Sequence, residues 1–175
     1  MGVEPDSASF RARFVELYKA HFRGIYRYLN RLSGEPELAA DIAQEAFVKL
    51  YQRGSLPDRP EAWLISVAMN LFRNAASAKS RRLRLLSPAR SEGVLSDPPP
   101  SPVESTEADD SRRRVRAALD QMPERERRLL LLRAEEFSYR DIAAALQLNE
   151  ASVGVLLARA RRRFKEIYEE SSSAP

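Results

Sequence analysis

Cysteine is absent from this sequence of 175 residues, and histidine occurs only once. Without a thiol, the chain can form no disulfide framework, no thiolate nucleophile and no cysteine-ligated zinc site. A metal would have to bind through carboxylates alone, so we predict no metal site and no cofactor. No stretch approaches the roughly 20 apolar residues that a membrane helix needs, and residues 1–9 lack the basic cap and apolar run of a signal peptide. We therefore expect a cytoplasmic protein with no membrane insertion.

The residue groupings typical of enzymes are also missing. The sequence contains no glycine-rich phosphate loop and no motif that sets a nucleophile beside a base. The single histidine, His21, falls among the apolar positions of a predicted helix, which favours a packed or half-exposed side chain over a catalyst. We predict that the protein is not an enzyme.

Charged residues are plentiful, and they divide the chain into three blocks. The net charge is +5 for residues 1–86, −5 for residues 87–111 and +4 for residues 112–175. Two basic bodies joined by an acidic connector favour a polyanionic partner, most simply nucleic acid. Solubility alone is the alternative explanation of such a charge.

The connector, residues 87–111, contains five Pro and six acidic residues. A segment of this composition cannot bury enough apolar surface to offset its ordering entropy, so it predicts a flexible linker. The flanking domains are then residues 9–86 and 112–169.

Apolar residues recur at spacings of three and four on both sides of this linker, which indicates amphipathic helices. Before the linker, three such stripes are separated at Gly34 and Pro36 and again between Gly54 and Pro60, which predicts an N-terminal domain of three to four helices. No alternating strand pattern stands out. The predicted fold class is all-α.

The second domain ends in a pattern of two helices. Ser138 and Asp141 form a capping pair before a short apolar helix, and a polar turn at residues 147–149 leads into a last, longer helix. Such a pair at the end of a small helical domain predicts a helix-turn-helix, although generic helical hairpins give the same pattern.

Three blocks of the sequence resemble one family, the extracytoplasmic-function (ECF) sigma factors of bacterial RNA polymerase. Residues 38–47 (LAADIAQEAF) resemble their polymerase-docking helix, and residues 62–70 (AWLISVAMN) resemble their promoter-melting helix. Residues 119–127 (LDQMPERER) and 137–143 (FSYRDIA) are similar to their C-terminal domain. The blocks occur in the family's order and cover both basic bodies.

The resemblance implies a docking face on the second helix. The side opposite the apolar stripe carries Asp41, Gln44, Glu45 and Val48. In the family this face binds the clamp helices of the polymerase large subunit. A solvated helix face is the alternative, because most acidic pairs four residues apart are nothing more.

The resemblance also places promoter contacts on the third helix. Asn70 corresponds to the residue that grips a base flipped out of the −10 element, since an amide can pair with the Watson–Crick edge of an extruded base. The loop at residues 52–60 would complete the pocket. The basic residues that follow would hold phosphates: Arg73, Lys79, Arg81, Arg82 and Arg84. A surface asparagine and a solvated basic tail are the alternatives.

The last helix departs from the family, whose members often place Lys or Arg on its first turns. Its outer side shows Ala151, Gly154, Val155 and Ala158 instead, and such side chains contact thymine methyls but cannot hydrogen-bond a base. The predicted DNA contacts are Ser152, Val155, Arg159, Arg161, Arg162 and Arg163. We interpret −35 recognition as phosphate contacts, apolar contacts and DNA shape.

Taken together, the sequence predicts a sigma factor that directs promoter-specific transcription initiation. Its partners would be promoter DNA, core RNA polymerase (through the clamp helices and the flap region) and an anti-sigma factor. Two alternatives stay open: a sigma-like mimic that occupies an anti-sigma factor, and a stand-alone helix-turn-helix regulator.

Overall fold

The structure is a computed structural model that describes residues 7–86 and 107–173. Those two ranges contain seven helices and no strand, so the all-α fold class is confirmed for them. The helices are α1 (Ser7–Ser33), α2 (Pro36–Arg53), α3 (Pro60–Leu86), α4 (Glu107–Asp120), α5 (Glu124–Ala134), α6 (Tyr139–Leu146) and α7 (Glu150–Ser173). Within them, no single helix is long and apolar enough to cross a membrane; α6 and α7 pass that test only jointly, across a 92° bend.

The first domain is a bundle of α1, α2 and α3, which all contact one another. Both predicted breaks are confirmed. Gly34 and Gly54 follow α1 and α2 with φ angles of +73° and +71°, a left-handed backbone that favours glycine. The apolar stripes meet in a core that includes Leu29, Phe47 and Leu64, each at most 2% exposed.

The second domain packs α7 against α4, α5 and α6. The Asp141 N–H donates to the Ser138 side-chain oxygen at 3.1 Å, which confirms the predicted cap of α6. Gln147 then adopts a left-handed φ of 55° and ends α6. Because three residues separate α6 from α7 and the two helices meet at 92°, the pair has the geometry of a helix-turn-helix.

The start of the second domain differs from the prediction. Residues 107–111, assigned to the linker from sequence, are helical and begin α4. Asp109 and Asp110 form ion pairs with Arg112 and Arg113, one turn along the helix, and acidic residues are favourable at a helix N-terminus. The helix α7 also continues to Ser173, beyond the predicted domain end at residue 169. Residues 87–106 of the predicted linker lie outside the described residues.

The two domains are packed against each other. The α1 helix contacts α5, and α3 contacts α6. Buried residues from both domains, such as Tyr28 and Leu132, belong to one continuous hydrophobic cluster. The sequence predicts two domains joined by a linker and gives no sign of a contact between them, so the shared core is a property that only the structure reveals.

Candidate functional site

The outer face of α2 is oriented as the periodicity predicts. Asp41, Gln44 and Glu45 are exposed, and Val48 is 39% exposed. The opposite side of the helix is fully buried at Ala39, Ala43 and Leu50. One cation accompanies the carboxylates, because Lys49 Nζ lies 3.2 Å from Glu45 Oε1. The face therefore combines acidic and apolar groups that are accessible to a partner.

Two exposed tyrosines lie near this face, and both fall within the apolar stripes of their helices. Tyr18 and Tyr51 are 41% and 48% exposed. Each ring meets another aromatic ring edge to face: Tyr18 meets the buried Phe47 at 5.1 Å between centroids, and Tyr51 meets the half-buried Phe14 at 5.2 Å. Their helical spacing matches that of buried residues, so periodicity alone could not separate them from the core.

Asn70 is exposed on α3, and its side chain already has a partner. Its Oδ1 accepts a hydrogen bond from an Nη of Arg73, one turn further along. The structure thus brings together the predicted base-gripping amide and a predicted phosphate-binding cation. Of the predicted pocket loop, residues 54–59 connect the helices, while Gln52 and Arg53 belong to α2 and Pro60 begins α3.

The basic end of α3 is only partly available to a polyanion. Lys79 Nζ lies 2.8 Å from Glu35 Oε1, just before α2, with both side chains about half exposed. Arg81 and Arg82 are exposed. The side chain of Arg84 lies outside the described residues.

The recognition helix α7 presents an apolar patch bordered by arginines. Val153, Leu157 and Ala160 are buried against the rest of the domain. On the other side Val155 is 65% exposed, the most exposed large apolar side chain of the described residues. The other predicted DNA-contacting residues are exposed as well: Ser152, Arg159, Arg161, Arg162 and Arg163. One of them is already paired, because Arg163 Nε lies 3.4 Å from Glu126 Oε2.

Gly154 corrects the predicted outer face of α7. It is half-buried, and a β-carbon built on it would lie 3.6 Å from Cε2 of Tyr139, the first residue of α6. The Tyr139 ring also carries the guanidinium of Arg133 at 5.5 Å from its centroid. Because α6 crosses α7 at this point, Gly154 belongs to the contact between the two helices. The accessible apolar groups are Val155 and its neighbours Ala151 and Ala158.

His21 has the half-buried position that the sequence predicts. Its ring stacks on Phe137 at 6.0 Å, and its Nε2 lies 3.5 Å from Glu61 Oε1. These contacts come from α3 and from the segment after α5, so the residue packs between the two domains.

These features define a two-domain helical protein with a helix-turn-helix and basic surfaces, the architecture of a DNA-binding protein. Two protein-family models match the chain, one for each domain. Residues 17–82 match Sigma-70 region 2, and residues 112–164 match Sigma-70 region 4.

Similarity to several known proteins extends over most of the chain. It is 29% identical to the ECF RNA polymerase sigma factor SigE of Mycolicibacterium smegmatis over 164 residues, which cover 90% of this chain and 62% of SigE. It is 31% identical to the ECF RNA polymerase sigma factor EcfG of Rhodopseudomonas palustris over 139 residues, 75% of this chain and 70% of EcfG. A third relative, the ECF RNA polymerase sigma factor SigM of Bacillus subtilis, is 25% identical over 87% of this chain and 93% of its own length.

Two solved structures share the fold. One is the sigma factor RpoE in complex with the anti-sigma factor NepR from Bartonella quintana, with a TM-score of 0.64 and 21% identity over 91% of this chain and 98% of that chain. The other is CnrH in complex with the cytosolic domain of CnrY, with a TM-score of 0.62 and 21% identity over 94% and 92%. The chain belongs to the family of ECF RNA polymerase sigma factors, as the sequence blocks predict. Sigma factors are DNA-binding transcription initiation factors.

Proposed function

We propose that this chain binds core RNA polymerase and directs it to promoters by recognising a −35 and a −10 element and opening the latter. The observation that carries the proposal is the presence, in one chain, of an outward-facing acidic and apolar face on α2 and a helix-turn-helix in the second domain. A DNA-binding regulator needs the second of these features but has no use for the first.

Polymerase docking is assigned to Asp41, Gln44, Glu45 and Val48. Carboxylates on a rigid helix attract a basic partner helix and steer its approach, while Val48 supplies desolvated contact area beside them. Tyr18, which packs on Phe47 of α2, and Tyr51, three residues after Val48 on the same helix, add exposed aromatic surface to that footprint. The partner on this face is the clamp coiled coil of the large subunit, and the second domain contacts the flap region.

Melting of the −10 element is assigned to Asn70 and Arg73. The amide pairs with an extruded base, while the guanidinium moves from Asn70 Oδ1 to a neighbouring phosphate. Extruding a base costs a few kcal/mol, which these contacts offset. The protein thus acts through binding and performs no catalytic step of its own.

Recognition of the −35 element is assigned to α7. Val155, with the small residues beside it, contacts thymine methyl groups, and Ser152 and the four arginines hold the phosphates on either side. Sequence preference then comes from methyl contacts and DNA shape.

An anti-sigma factor is a further proposed partner. It is supported by two related folds that were solved as complexes, one of them explicitly with an anti-sigma factor. Because its partners are polymerase and the chromosome, we place the protein in the cytoplasm.

Transcription in vitro with core polymerase and a library of promoter fragments tests this function. We expect discrete start sites with the protein and none with core enzyme alone. Asn70→Ala should lower the rate of promoter opening by about tenfold or more, because one set of hydrogen bonds to the extruded base is lost. Asn74→Ala is the matched control, since Asn74 is exposed one turn further along α3.

The same transcription assay, combined with a gel-shift assay on duplex DNA, separates the alternatives. A mimic would bind an anti-sigma factor but give no transcript with core polymerase. A stand-alone regulator would shift duplex DNA equally well with and without polymerase. Either result would contradict the proposed function.

A further inference from the structure

The α1 helix has a second packing face. One side of it contacts α2 and α3, and another side contacts the second domain. This other side carries residues spaced three and four apart, which lie on one stripe of a helix. They are His21, Gly24, Arg27, Tyr28 and Arg31. We refer to this stripe as the domain-facing stripe.

A buried carboxylate lies opposite the domain-facing stripe. The side chain of Glu135, directly after α5, is only 1% exposed, and Glu135 is the one buried charged residue among the described residues. Arg27 Nε donates a hydrogen bond to its Oε2 at 2.6 Å, and Arg31 Nη1 lies 2.6 Å from its Oε1. A carboxylate is expensive to bury unless it is paired. Here both cations come from the other domain.

Apolar contacts surround this ion pair. Phe137 is 4% exposed and stacks on His21. Gly24 leaves room for both partners, because a β-carbon built there would lie 3.8 Å from Phe137 Cζ and 3.9 Å from Glu135 Cβ. The carboxylate of Glu135 is therefore enclosed by apolar contacts, while the side chains of Arg27 and Arg31 stay about half exposed at 45% and 48%.

Tyr28 completes the interface. It is 1% exposed. Burial raises the pKa of its hydroxyl, and the charges of Arg128 and Arg127 on α5 oppose that shift. At the end of α1, the guanidinium of Arg116 from α4 fills the space that a side chain at Gly34 would need. The contacts thus extend from His21 to Gly34.

This packed arrangement cannot occupy both promoter elements. The −35 and −10 elements are numbered by their positions on the promoter, which lie about 25 base pairs apart, or about 85 Å along B-DNA. The α3 helix, which carries Asn70, has 27 residues and is about 40 Å long. The helix-turn-helix touches that same helix through α6. Its reading face is therefore tens of ångströms too close to Asn70.

We propose that Glu135, held between Arg27 and Arg31, is an autoinhibitory latch that keeps the free protein closed and must release before promoter recognition. This inference rests on the proposed function, because it assumes that both promoter elements are bound together. The 20 residues between α3 and α4 can span up to about 70 Å, so the connection permits the opening.

A disulfide across the interface tests the latch directly. The Cβ separation of 3.9 Å between positions 24 and 135 is within the range of natural disulfides. Because the chain has no cysteine, Gly24→Cys with Glu135→Cys introduces the only two thiols. Oxidation should cross-link the free protein and abolish promoter-specific transcription with core polymerase, and a reductant should restore it. Each single variant, treated with oxidant, should stay at least as active as the wild type, because neither can form the bond between the domains.

Three results would overturn the latch. The oxidised double variant could fail to cross-link, which would mean that the two domains do not meet at these positions in the free protein, even transiently. The cross-linked protein could transcribe as well as its reduced form, which would mean that closure does not inhibit. The third is a radius of gyration for Glu135→Gln that equals that of the wild type in small-angle scattering. An inactive wild-type protein would instead refute the proposed function, and that radius, measured without polymerase, would still decide the latch.

Removing the charge should have the opposite effect. Glu135→Gln should raise the ratio of open to closed molecules about tenfold, because the hydrogen bond from Arg27 and the ion pair with Arg31 are replaced by weaker contacts to a neutral amide. Small-angle scattering should then show a radius of gyration above the value of about 16 Å expected for a compact chain of this length. Apparent affinity for a promoter with both elements, measured with core polymerase, should rise as the competent fraction rises. Glu136→Gln, one residue along and exposed, is the matched control and should match the wild type in both measurements.

Discussion

The carboxylates of α2 and the carboxylate of Glu135 are the same chemical group in opposite surroundings. Asp41 and Glu45 are exposed to solvent, and the Glu45 side chain is 49% exposed beside a single lysine. The Glu135 side chain is 1% exposed between two arginines. An exposed charge contributes little to stability and is free to attract a partner, whereas a buried charge is tied to the groups that pair with it. The difference predicts that mutations at the two sites affect different properties.

The largest expected effect is on polymerase binding. Asp41→Lys with Glu45→Lys should weaken binding to core polymerase by about 100-fold, because attraction to a basic helix becomes repulsion at two positions. Fluorescence anisotropy of labelled protein titrated with core enzyme measures this loss. The melting temperature should stay unchanged, since both side chains are exposed.

A control for charge reversal outside α2 is Glu16→Lys, since the side chain of Glu16 is 77% exposed on α1. It should bind polymerase as the wild type does. Equal losses in the control and the double variant would show that general charge, and not the α2 face, determines docking.

The free energy of unfolding should depend more on Glu135 than on the exposed carboxylates of α2. Glu135→Gln should lower the free energy of unfolding by about 1–2 kcal/mol, because the paired charge between Arg27 and Arg31 is lost. Asp41→Asn should change it by less than about 0.5 kcal/mol, as expected for an exposed position. Urea denaturation followed by circular dichroism measures both values. The comparison between the two surroundings would be wrong if Asp41→Asn cost as much as Glu135→Gln.

The smallest expected effect concerns Tyr28, the uncharged neighbour of this ion pair. Its buried hydroxyl has no hydrogen-bond partner among the described residues. Tyr28→Phe should therefore be neutral or stabilise the fold by up to about 1 kcal/mol at neutral pH. Thermal unfolding at pH 8 measures this difference.

Alkaline pH should increase the difference in stability between the wild type and Tyr28→Phe. Burial raises the pKa of Tyr28 above the ordinary value of about 10. An unfolded tyrosine thus loses its proton at a pH where the folded one still holds it, so the stability that Tyr28 provides is complete below pH 10 and falls as the pH rises above 10. The wild type should lose more stability than Tyr28→Phe between pH 9 and 11. Parallel curves would contradict the burial of this hydroxyl.

Local features of the fold could be predicted from the sequence because their causes are local. Gly34 and Gly54 mark turns that need a left-handed backbone, and Ser138 caps the helix that follows it. The outward orientation of Asp41 and Glu45 follows from helical periodicity alone. That these residues bind polymerase, and that Asn70 and the arginines bind DNA, stays a prediction.

The rest depends on contacts between distant parts of the chain. Arg27 and Glu135 are 108 positions apart, and no periodicity links them. From sequence, Glu135 and Glu136 are indistinguishable, although one is buried and the other exposed. Periodicity alone places Gly154 on the free face of α7, since its contact with Tyr139 arises only where α6 crosses that helix.

The size of the residue at position 24 determines how closely the two domains can pack. Its missing side chain leaves space for little more than one carbon before Phe137 and Glu135 are reached. Alanine at this position adds an ordinary contact to both neighbours, whereas any long or branched side chain acts as a wedge between the domains. A change of one codon is therefore enough to alter how easily the two domains separate, while the residues assigned to DNA and polymerase binding stay the same.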